Sequence, residues 1–233
     1  MTAAPREIDG IDLAGLPDEP RYVEAHGMAA DPASWRRELG RGFAVGNDRA
    51  RLIAVCGEAD AGATRALLRE RPAHTVLVGT GTGDVAATLR DAGRGVVRAI
   101  LHTLLEPEAL PDLDGAAPLA ADAPLADLPE PLAEEIRDAL AGDTVWAAWV
   151  DGAPVAFAYA PWRSRRWFDV SVDTLPAARQ LGLGTIVAAA LIRAERAAGR
   201  EPVWGADEHN LASLGLARRL GFVPIDELWV APP

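Results

Sequence analysis

Short apolar runs alternate with amphipathic stretches from about residue 51 to the end of the chain. Arg51–Cys56, His74–Val78 and Val96–Thr103 read as strands. Ala61–Glu70 and Asp84–Ala92, between them, read as helices. Upstream, residues 1 to about 30 are polar and irregular, broken by Pro17 and Pro20, and Asp31–Leu39 reads as a short helix. In the second half Leu132, Ile136 and Leu140 fall at helical spacing within Pro131–Ala141, and Gly142 ends that helix. Thr144–Val150 and Pro154–Ala160 are strand patterns joined by Asp151-Gly152, a strong hairpin signal. A third strand, Trp167–Val172, leads through a glycine-bearing loop ending at Thr185 into an apolar helix that has no internal Gly or Pro and runs to Gly199. The strand Pro202–Ala206, a helix over Leu211–Leu220 and strands around Phe222–Val223 and Leu228–Val230 complete the chain. The expected class is α/β, with a mixed sheet of α+β character.

Glu106 to Pro131 breaks this rhythm with six prolines and seven acidic residues, and no basic one. It is expected to be an extended connector over the surface. The expected organisation is an α/β unit over residues 1–105, the connector over 106–131 and a second domain over 132–233. The net charge of −11 and the lack of a basic stripe argue against nucleic acid. All 23 basic residues are arginine, which removes lysine nucleophiles, Schiff bases and the P-loop lysine. The single cysteine, Cys56, sits in a strand-like apolar run and is expected to be buried and inert. His26, His74 and His102 are scattered, so no metal is expected. An acidic N-terminus without an apolar stretch is no signal peptide, and no run is long enough to cross a membrane. Cytoplasmic location follows by default.

The candidate chemistry centres on Val170–Gly199, where a strand, a loop and a helix N-terminus succeed one another. Such an arrangement points unpaired backbone N–H groups and the positive end of the helix dipole at an anion. Gly182 and Gly184 permit close approach, and Thr185 adds a hydroxyl. The spacing is neither the dinucleotide fingerprint nor a P-loop. Arg179-x-x-Gly182-x-Gly184 resembles the acyl-CoA pyrophosphate loop of the GNAT N-acetyltransferase superfamily. A second block, Trp204 to Asn210 followed by Ser213 and Leu216–Phe222, is similar to the strand, Asn, short helix and Gly-Phe of many such enzymes. The likeness covers roughly Thr144–Pro233 and leaves the first half unmatched.

What the resemblance implies is a GNAT-like fold in the C-terminal half, with acetyl-CoA as co-substrate held in a cleft between splayed strands. A primary amine of a small molecule or peptide would attack the thioester directly. Val172, Asp173 and Thr174 would lie along the acetyl and pantetheine portions and provide oxyanion donors. Arg179, Gln180, Leu181, Gly182, Leu183, Gly184 and Thr185 would hold the pyrophosphate, with Asn210 and Ser213 beside the pantetheine arm. Asn210 reads equally as a helix N-cap. The family's usual acid is a Tyr seven residues after the Asn, where this chain has Ala217; Tyr159 is the substitute considered. A base must deprotonate the amine, and of Asp169, Asp173, Asp207, Glu208 and His209 the leading pair is Glu208 and Asp173. Trp162, Trp167 and Trp204 are candidates for the acceptor pocket. Arg163, Arg165, Arg166, Arg218 and Arg219 are possible phosphate partners. The N-terminal half is open to reading as a degenerate copy of the same unit, part of the acceptor pocket, or a homodimer interface. Two rivals stand beside the enzyme: a non-catalytic acyl-CoA-binding regulatory module, and nucleotide binding at Gly79–Gly83.

Overall fold

The computed structural model describes residues 11–13, 15–80, 84–106, 108, 110–111 and 113–233. Two compact units emerge. The described residues up to Ile100 pack together with Asp226–Pro233, and Leu101–Ile225 form the other.

In the first unit α1 (Val23–Ala29) precedes the meander β1 (Ser34–Leu39), β2 (Gly42–Asn47) and β3 (Leu52–Cys56). A parallel crossover through α2 (Ala61–Glu70) leads to β4 (Thr75–Gly79), and α3 (Val85–Asp91) follows. Asp60 caps α2, its carboxylate accepting from the Ala63 N–H at 2.8 Å. Leu39, Ile53, Leu67, Val76, Val78 and Leu89 form the core. The expected helix over Asp31–Leu39 is instead β1, and β2 is a strand that the pattern did not announce. The pairing explains both. Trp35 lies directly opposite Gly46, and a Cβ on that glycine would stand 2.2 Å from the indole. Gly46 is what admits the tryptophan across the ladder. Cys56 is buried as expected, and burial pushes its thiol up to about 12.

The second unit takes over within β5 (Val97–Leu104) and contains β6 (Ala117–Pro118), α4 (Glu130–Gly142), β7 (Trp146–Val150) and β8 (Ala153–Tyr159). Then come β9 (Trp167–Asp169), β10 (Ser171–Thr174), α5 (Leu183–Ala197), β11 (Glu201–Asp207), α6 (Leu211–Arg219) and β12 (Phe222–Ala231). The β7–β8 turn has Asp151 at φ 50° and Gly152 at φ 82°, the paired positive values of a type I′ hairpin. Strands β10, β8, β7 and β6 form one antiparallel sheet, and β5, β11 and β9 are neighbours in order. On one side Phe168, Val187, Leu191, Trp204 and Phe222 pack around α5 and α6. On the other, Phe157 and Tyr159 pack with Ile136 of α4. The expected surface connector departs from its reading: β6 joins the sheet, and Leu119, Leu125 and Leu128 are buried in the α4 cluster. The final pair of strands is one continuous strand, β12, which passes through Pro224.

Candidate active site

The expected third strand divides at Val170. Before it, β9 pairs in parallel with β11, Asp169 opposite Val203, and the Val170 N–H donates to Val203 O at 3.0 Å. Beyond it, β10 pairs only with β8, Ser171 opposite Tyr159 and Asp173 opposite Phe157. The chain changes partner, and a gap opens between β10 and β11. Strand parity decides what faces the gap. Val170 donates towards β11 and Leu175 donates towards β8, to Val155 O at 2.9 Å. The amides of Val172 and Thr174, in step with Val170, therefore point into the gap. The resemblance implied donors on this stretch of strand.

At the end of β10 the chain makes a short 3-10 turn over Pro176–Ala178 and reaches the glycine loop. Gln180 and Gly182 both take positive φ, at 65° and 80°, and α5 begins at Leu183. Among the described residues no hydrogen bond is made by the N–H groups of Gln180 through Gly184; the first to find a partner is Thr185, bonded to Gly182 O at 3.0 Å. Five amides at the N-terminus of a fifteen-residue helix form an anion cradle. Arg179 is exposed there, its Nε donating to Thr174 O at 3.3 Å. A Cβ on Gly184 would meet Thr174 Oγ1 at 3.3 Å and Leu216 at 3.4 Å, so this glycine lets α5 start against both β10 and α6.

Across the gap β11 ends at Asp207, and Asn210 caps α6, accepting from the Ser213 N–H at 3.1 Å. Ser213 Oγ in turn accepts from the Trp204 indole at 2.9 Å. Trp204 is therefore not an acceptor contact: its ring is buried and meets Phe222 edge-on at 5.4 Å. Ala217 is fully buried, so α6 presents no side chain to the gap from that position.

The opposite face of the sheet carries several titratable groups. The register sends Tyr159, Ser171, Phe157 and Asp173 out beneath α4. Burial, with Glu135 adding repulsion, pushes the Asp173 carboxyl up to about 6. Asp169 lies on the same face, and burial raises its carboxyl against the opposing pull of the Val170 N–H. Tyr159 does not present an acidic O–H to the gap; it donates to Glu135 Oε1, and burial together with that bond raises the phenol far above its ordinary value. Glu135 had no signal in the sequence beyond being one of several acids on the polar side of an amphipathic helix. Glu208 lies in the turn after β11 and is half-buried.

Two other expectations move away from the gap. Trp167 is buried under the Arg166 guanidinium, 4.7 Å from its ring, and pairs with Glu201 at the start of β11, the end remote from the splay. Arg163 is held by Asp143 and by Glu195, the latter at 2.7 Å, near the C-terminal end of α5. That is twelve residues, about 18 Å of helix, from the anion cradle. Arg218 and Arg219 likewise close the last turn of α6, away from Asn210. Trp162 is half-buried, its carbonyl accepting from the Asp169 N–H at 2.9 Å. No helix among the described residues is long and apolar enough to cross a membrane, and no group of three metal-ligating side chains occurs among them.

The parted strands, the free amides along one edge and the amides at the start of α5 all belong to the second unit. Residues 146–230 match the family model for the GNAT acetyltransferase, so this part of the chain is similar to that family. The fold is similar to that of a GCN5-related N-acetyltransferase-like protein from Streptococcus suis 89/1591, with a TM-score of 0.66 at 17% identity over 94% of each chain. A GCN5-related N-acetyltransferase from Kribbella flavida gives 0.63 at 18% identity, covering 91% of this chain and 94% of its own. A GNAT-family acetyltransferase structure from Novosphingobium aromaticivorans gives 0.63 at 18%, covering 92% and 97%. These likenesses of fold extend over the first unit, where the sequence itself carried no resemblance. No curated protein matches the chain.

Proposed function

We propose that the chain transfers an acetyl group from acetyl-CoA to a primary amine of a small molecule or peptide, by direct attack within a ternary complex. The observation that carries this reading is the change of strand partner at Val170, which leaves the Val172 and Thr174 amides unpaired beside the cradle of Gln180–Gly184. The cradle amides and Arg179 would take the pyrophosphate. The strand-edge amide of Val172 would take the thioester oxygen as it gains charge. Asp173 is the preferred base, because it is ionised and still basic near neutral pH. The acceptor ammonium passes one proton to Asp173, and its nitrogen forms the new C–N bond. Collapse breaks the C–S bond, the amide nitrogen sheds its second proton to solvent, and water protonates the CoA thiolate. Glu208, exposed Asn210 and Trp162 would contribute to the walls of this site. Acidic groups on the acceptor side favour a cationic amine.

The second reading, a non-catalytic acyl-CoA-binding module, draws on one observation: α6 offers buried Ala217 where a phenolic acid is usual. Thiolate departure does not demand that acid. Calorimetric titration with acetyl-CoA, alongside folded Gly182→Trp, tests the cradle: binding to the wild type and loss in the variant are expected. A thiol-release screen across amines then separates the readings. Binding without turnover on any amine would leave the regulatory module, and no binding would end both.

A further inference from the structure

We propose that Glu135 is a positioning residue for this reaction: anchored by Tyr159, it holds its carboxylate beside Asp173 and governs proton uptake by that base. The inference rests on the reading of Asp173 as base. Its geometry comes from three elements. Asp173 stands opposite Phe157, and two residues along β8 is Tyr159, whose own partner is Ser171. All of these side chains leave the sheet on the α4 side. Tyr159 is 2% exposed and locked among Ile136, Phe157 and Val145, so its hydroxyl is a fixed point. That hydroxyl donates to Glu135 Oε1 and draws an otherwise solvent-facing carboxylate down to the sheet.

A like charge nearby favours the protonated form of a carboxyl that is already partly buried. Among the described residues, the charged neighbour that acts on Asp173 is Glu135, which reinforces the effect of burial. The other groups on this face are Tyr159 from β8, which remains protonated, and Asp169 from β9. Across the gap Asp207 of β11 shares the face by parity with Val203, the partner of Asp169. Glu135 thus sets part of the acidity of a base that it does not touch through any bond. Its consequence is specificity as well as basicity, because an arriving ammonium meets two carboxylates and relieves their repulsion.

Glu135→Gln keeps an acceptor oxygen for Tyr159 while deleting the charge, and so spares the fold. The experiment follows aspartate carboxyl carbons by NMR during pH titration, with the Asp173 signal assigned by its loss in Asp173→Asn. In Glu135→Gln the Asp173 midpoint is expected to fall by about half a unit. The acid limb of kcat/KM should move with it, in the same direction and by the same amount. Tyr159→Phe, which frees Glu135, should move the midpoint the same way. An unchanged midpoint in Glu135→Gln overturns the proposal. If the wild type acetylates no amine, the carboxyl titration still reports the coupling, and the failure then belongs to the assigned activity.

Discussion

Replacing Asp173 with Asn should strengthen the fold at alkaline pH while disabling the enzyme. Asp173 carries a carboxyl moved from 3.8 to about 6, and burial is the larger cause. The folded protein therefore holds that proton more tightly than the unfolded chain does. Above pH 6 the carboxylate is ionised in both states and costs the folded one. As pH falls from about 6 to about 4 the folded state takes up the proton and the cost disappears. A shift of about two units corresponds to roughly 3 kcal/mol, and solvent screening of a half-buried group reduces this to about 1–2 kcal/mol. Asn mimics the neutral acid. Urea unfolding at pH 8 should thus show Asp173→Asn more stable than the wild type by about 1–2 kcal/mol, and the difference should close at pH 4. In parallel, wild-type kcat/KM for an amine should rise through pH 6, and the variant should lose about 10²- to 10⁴-fold. A variant less stable at pH 8, or equal to the wild type at both pH values, would refute the claim that this carboxylate is held under strain.

Two further outcomes follow from burial. Ala217→Tyr should restore no activity and should cost about 1–3 kcal/mol, because that position faces a filled core; a gain in turnover measured by thiol release would contradict this placement. Cys56, with its thiol at about 12 in place of 9.0, should react with a disulfide reagent at pH 8 about a thousandfold more slowly than a free thiol until the protein is unfolded; prompt labelling of the native protein would show that strand β3 is open.

Local chemistry was legible wherever a residue's role depends on its near neighbours in the chain. Asp151-Gly152 needs positive φ, Asn210 has a free amide three residues ahead, and Gly182 lies where a strand must become a helix. None of these depends on what packs nearby. Reading failed where a distant residue changed the meaning of a local pattern. Nothing near Trp35 says that Gly46 will stand opposite it and turn an apparent helix into a strand. Leu119, Leu125 and Leu128 are diluted among prolines and acids, yet α4 offers them a surface to cover. Tyr159 resembles a free phenol until Glu135 arrives from another element.

By itself, then, the sequence determined most of the helices and strands of the second unit and the glycine-bearing turn before α5, since both follow from periodicity and backbone preference. The tertiary structure decided which side chains the cleft can use. It set the partner change at Val170, buried Trp167 and Trp204, and committed Arg163 to Glu195. It also brought Glu135 and Asp173 together from segments that the sequence keeps far apart. The physical reason is that charge and burial act through space, and a carboxylate's acidity is set by neighbours that only packing selects.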